Sequence, residues 1–147
     1  MATPALPHDP YIVSVVAALS AARVEPTCVE TLDREIDRYD TGLYADLAPT
    51  LSALLIWNGE ASAAPGGSVA LVWEHPEERW QWAPLVVPGV LEDLEPLPLH
   101  RWADPAAVVD VVRVLLAGLP VPVADDPRLF PGWVDAGEAV RRWTTSR

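Results

Sequence analysis

The sequence predicts an α+β domain: a mostly antiparallel sheet of four to five strands with two main helices packed on one face. Two observations carry this. Apolar stripes at helical spacing begin at two Asp-Pro pairs, Asp9-Pro10 and Asp104-Pro105. Between them lie apolar runs of strand length, broken by turn signals such as Asn58-Gly59 and Pro88-Gly89.

Taken in order, residues 1–8 read as a flexible arm without a periodic pattern. Asp9 then caps a helix with Pro10 in its first turn, and Ile12, Val15, Val16 and Leu19 form one stripe. Pro26 to Gly42 reads two ways. Thr27-Cys28-Val29-Glu30 has the spacing of a capping box, and Val29, Leu32, Ile36 and Tyr39 recur every three or four residues, so a short exposed helix is expected. A twisted edge strand is the alternative.

Leu51 to Trp57 is an apolar strand. Ser68 to Trp73 alternates, turns through Glu74 to Glu78, and returns from Trp80 to Val87 as a β-hairpin with one aromatic face. Val90 to Leu99 adds a further strand, and Pro96 and Pro98 place it at an edge. The second helix has Asp104 as cap, Val108, Val111, Val112 and Leu115 as stripe, and Gly118 as stop. These elements make residues 9–118 the α+β domain. Residues 119–147 read as a proline-rich C-terminal extension with a short helix from Trp133 to Trp143, Val140 and Trp143 turned inward.

Charge narrows the partners. The formal net charge is −11, from 21 acidic and 10 basic residues, and every basic residue is arginine. Such a surface repels phosphate backbones and anionic lipid, which argues against direct binding of nucleic acid or membrane and permits a basic protein partner. Tyr11 to Ala22 is apolar but too short to span a bilayer, and no positive charge precedes it as in a leader peptide. A single cysteine, Cys28, allows no intrachain disulfide and suits the cytoplasm; it reads as a small buried or half-buried residue, not a nucleophile.

No catalytic motif stands out. His8, His75 and His100 have no metal-ligand spacing, and His75 reads as a solvated turn residue. No phosphate loop, nucleophile elbow or dinucleotide glycine pattern is present, so no cofactor is expected. The unusual feature is seven tryptophans. Trp73, Trp80 and Trp82 share the hairpin's aromatic face, flanked by Glu74, Glu77 and Glu78. They form either core under the helices or an exposed interaction surface with an acidic rim, since tryptophan is favoured in both places.

The chain resembles a family of small acidic actinobacterial proteins built on a domain of unknown function. The residues that carry the resemblance are Asp9-Pro10-Tyr11, the run Gly67 to Trp73 with its turn into Arg79-Trp80, and Asp104-Pro105-Ala106 through Gly118. It implies an actinobacterial origin and an α+β fold, and transfers no activity or site residue. Two function classes follow from the sequence: a non-catalytic protein-binding or regulatory module with an acidic surface, or a small-molecule-binding protein or enzyme with a pocket between sheet and helices. Small acidic α+β secretion chaperones share the layout of the first class, by analogy of fold alone.

Overall fold

A computed structural model describes residues 6–34, 50–58, 68–75, 77–84 and 94–145. In chain order these form α1 (Asp9–Ala21), β1 (Cys28–Arg34), β2 (Thr50–Trp57), β3 (Val69–His75), β4 (Arg79–Pro84), β5 (Glu95–His100), α2 (Pro105–Leu116) and α3 (Trp133–Thr145). The fold is α+β, with a five-stranded sheet in the order β1-β2-β3-β4-β5 and every neighbouring pair antiparallel.

Both Asp-Pro pairs start helices, through different contacts. Asp104 is the N-cap of α2, and its carboxylate accepts the Ala106 amide at 2.8 Å. In α1 the N-cap is His8, and Asp9 lies in the first turn, where its carboxylate accepts the Leu6 amide at 2.8 Å. Both helices close with the same paired backbone bonds. After α2, Leu119 N–H reaches the Val114 carbonyl and Gly118 N–H the Leu115 carbonyl, with Gly118 at φ 70°. After α1, Val24 N–H reaches Leu19 and Arg23 N–H reaches Ser20, but the left-handed residue is Arg23, at φ 63°. A non-glycine there bears the steric cost that glycine avoids.

The stretch expected to be a short helix is strand over the described residues. Cys28 to Arg34 pairs residue for residue with Ile56 to Thr50, which places it at the sheet edge. Thr27 makes no capping box; its hydroxyl accepts the Asn58 amide at 3.1 Å and its own N–H reaches the Ile56 carbonyl. The helical spacing of Val29 and Leu32 was misleading because neither is core: they are 39% and 56% exposed. An open sheet edge satisfies all of this segment's backbone groups on one side, which outweighs a weak local helix preference. Cys28 is exposed, contrary to expectation, because it lies on this edge strand. Residues 35–42, the rest of that reading, lie outside the described residues, as do residues 85–93 of the expected strands after Trp80 and Val90.

The core forms on one face of the sheet. Alternation sends Leu51, Ala53, Leu55 and Trp57 of β2 to that face, with Val69, Leu71 and Trp73 of β3 beside them. Tyr11, Ile12, Val15 and Leu19 of α1 and Val108, Val112 and Leu115 of α2 cover it. Tyr11 knits the layers: its hydroxyl donates to the Ala103 carbonyl at 2.6 Å and accepts the Trp80 indole N–H at 3.1 Å. Burial pushes its phenol pKa up. His8 is fully buried, so the end of the expected flexible arm belongs to the core. It stacks on Trp73 with ring centroids 5.1 Å apart, and its Nε2 donates to the Ser52 carbonyl at 2.8 Å.

The residues after Gly118 are equally part of this body. Asp126 N–H bonds the Pro98 carbonyl and Phe130 N–H the Trp102 carbonyl, while Val140 and Trp143 of α3 join the same core. Arg79 pairs with Asp125, and Arg128 with Asp110 and Asp126, all at the surface, where such pairs fix position more than stability. No helix among the described residues is long and apolar enough to cross a membrane.

Candidate functional site: a cationic cleft under the last helix

The aromatic strand does not form the surface that the sequence left open. Trp73 and Trp80 are 0% exposed, because the helices cover the face they occupy; only Trp82 is half-buried. Glu74 projects from the opposite face of β3 and is half-buried, whereas Glu77 and Glu78 are exposed in the turn. Burial, then the neighbouring Glu77 charge, hold the Glu74 carboxyl above its usual range. The six residues therefore make no common patch.

Trp73 instead supports a site from beneath. Its indole N–H donates to the Arg101 carbonyl at 2.6 Å. Arg101 N–H donates to the Glu78 carbonyl, and Ala103 N–H to that of His100, so the turn after β5 is held by core and hairpin together. The Trp102 amide donates to His100 Nδ1 at 3.0 Å. On this turn, Arg101 stands over the Trp102 ring with its guanidinium carbon 5.9 Å from the ring centre.

Helix α3 forms the other wall. Trp133 and Val134, then Gly137, Val140, Arg141 and Thr144, recur at helical spacing on one face and, with His75, His100, Arg101 and Trp102, line a cleft of about 550 Å³. Gly137 is a weak choice inside a helix, costing roughly 1 kcal/mol against alanine. Packing does not require it, since a Cβ there would meet Trp102 Nε1 at an ordinary 3.7 Å. Its effect is to leave the wall of the cleft open.

The polar atoms settle the state of His75. Arg101 Nη1 lies 3.3 Å from His75 Nδ1 and can only donate, so Nδ1 accepts. Nε2 then carries the proton, 3.3 Å from the Thr144 hydroxyl, which itself donates to the Val140 carbonyl at 2.9 Å. Burial, then Arg101, then His8, keep the His75 pKa below the usual histidine range; burial and Arg101 also lower that of His100, with Glu78 opposing. A nucleophile–histidine pair needs an imidazolium stabilised by an anion. Here the histidine's far nitrogen faces a cation and the hydroxyl is turned into its own helix, which disfavours a hydrolytic pair.

The lining carries two arginines and two histidines and no carboxylate among the described residues, in a chain of net charge −11. Among the described residues, Arg101 and Arg141 have no carboxylate partner, whereas Arg79 and Arg128 do. No group of three or more His, Cys, Asp or Glu side chains among the described residues could hold a metal ion. Sequence reading passed over Arg101, Arg141 and Thr144, and weighed His100 only as a metal ligand, because the turn at 100–101 and the helix face at 141–144 lie about 40 residues apart in the chain; the isolated Gly137 in a helical stretch was the one local signal. His75, expected in a solvated turn, is the half-buried last residue of β3. The chain matches no family model, no curated protein and no solved structure.

Proposed function

We propose that the protein is a non-catalytic binding module whose recognition site is the cleft between α3 and the Arg101–Trp102 turn, and that the site takes an anionic ligand. The observation that carries this is the carboxylate-free lining: Arg101 and Arg141 face a shared space without a carboxylate partner among the described residues, on an otherwise acidic chain. An anion between two arginines takes charge-assisted hydrogen bonds from both and offsets their mutual repulsion. The cleft's size lies within the usual range for small-ligand pockets, roughly 300–1,000 Å³. This favours the small-molecule alternative over a protein-binding aromatic patch, because burial removes Trp73 and Trp80 from any such patch. The placement of the Arg101 guanidinium against His75 Nδ1, where a hydrolytic pair would carry an anion, supports a binding role over a catalytic one.

The test is thermal melting with benzoate, acetate and inorganic phosphate at matched ionic strength, for the wild type and for Arg141→Glu. A ligand present at about 100 times its Kd adds roughly 2.7 kcal/mol of stability. At least one anion should raise Tm in the wild type and leave Arg141→Glu unmoved. Equal responses of the two proteins, or none at all, would overturn the proposal.

A further inference from the structure

We infer that the ligand of this cleft is a planar aromatic molecule bearing one anionic group, its ring against Trp133 and its anion between Arg101 and Arg141. The inference rests on the anion-binding reading above and adds the shape of the ligand. Trp133 opens α3 and lines the cleft with 42% of its surface exposed, although Val140 and Trp143 on the same helix are buried. An indole left half-bare in a cleft that two guanidiniums also line is a stacking platform, since aromatic rings gain most from offset or edge contact with another ring. Arg101 adds a second flat element. Its guanidinium already lies over the Trp102 ring and gives one Nη1 hydrogen to His75, which leaves its remaining N–H groups to meet a carboxylate. Val134 and the side-chain-free Gly137 complete an apolar wall between the platform and Arg141. Apolar platform, flat cation and a second cation in sequence fit a ring with an acid substituent better than a compact inorganic anion, which would leave Trp133 and Val134 unused.

The experiment is isothermal titration of the whole chain with benzoate, cyclohexanecarboxylate, benzamide and inorganic phosphate. Benzoate should bind most tightly. Cyclohexanecarboxylate, with the same charge but no planar ring, should be roughly five- to tenfold weaker, the fold-change of about one aromatic contact. Trp133→Ala should remove that preference, and Trp133→Phe should restore it; the urea midpoint of both should stay near wild type, since Trp133 is largely outside the core. Equal binding of benzoate and cyclohexanecarboxylate, or of phosphate and benzoate, would overturn the aromatic assignment and leave the anion site standing. Benzamide binding as well as benzoate would overturn the anion site itself, as would no binding by any probe.

Discussion

Replacing Trp80 by alanine tests whether the aromatic strand is core. Trp80 is 0% exposed and its indole N–H donates to Tyr11, which in turn holds the Ala103 carbonyl ahead of α2. Deleting a buried large aromatic costs about 3–5 kcal/mol, from lost transfer energy plus the cavity left behind. Against a total stability of about 5–15 kcal/mol, the variant should unfold at a much lower urea concentration or be unfolded in buffer. Trp82, two residues along on the same face but half-buried, gives the control: its alanine variant should cost less. Tyr11→Phe separates the hydrogen bonds from the packing. It leaves the Ala103 carbonyl and the Trp80 N–H without their partner, at a cost of about 1–3 kcal/mol. Urea melts followed by far-UV circular dichroism measure all three, with the slope against denaturant checking that the unfolded states are alike. A Trp80→Ala midpoint at the wild-type value, or a larger loss for Trp82→Ala, would refute the assignment of this face to the core.

Other perturbations probe the joints. Asp104→Ala should lose about 1 kcal/mol, the usual effect of removing an N-cap, and an unchanged melt would contradict the cap seen at the start of α2. Arg23→Gly should gain about 0.5–1 kcal/mol, because it relieves a left-handed arginine at φ 63° while loosening the unfolded chain; a loss would show that the side chain matters more than the backbone. Gly137→Ala should gain about 1 kcal/mol from helix propensity alone, or about 2–4 °C in Tm, and a fall would mean that the wall of the cleft has no room for a methyl group. Because His75 and His100 are held below the ordinary histidine value of 6.5, they bind fewer protons folded than unfolded. Their contribution is therefore complete above pH 6.5 and is lost as pH falls through the folded values, while the raised Glu74 acts in the opposite sense just above 4.5. Stability should drop on acidifying below pH 6.5, and His75→Gln should flatten that slope; a slope that His75→Gln leaves unchanged would rule out His75 as its source.

The sequence by itself determined the elements whose signals are local. Asp104-Pro105 and Gly118 bound α2 because a cap, a fixed φ and a left-handed stop act within one turn. β2 was legible as an apolar run and β3 and β4 by their alternation, because a sheet with a covered face writes its period into neighbouring residues. Trp133 to Trp143 announced α3, with Val140 and Trp143 inward as expected. What only the tertiary structure decided depended on partners distant in the chain. β1 is a strand because β2 offers it an edge, against its own helical spacing. Trp73 and Trp80 are core because α1 and α2 settle on their face, a choice between two apolar faces that no local pattern makes. His8 is buried because α1 brings it over Trp73. The cleft needs the end of β3, the turn after β5 and α3 at once. His75, Arg101 and Arg141 are separated by many residues that carry no shared motif, and only packing puts their charges around one space.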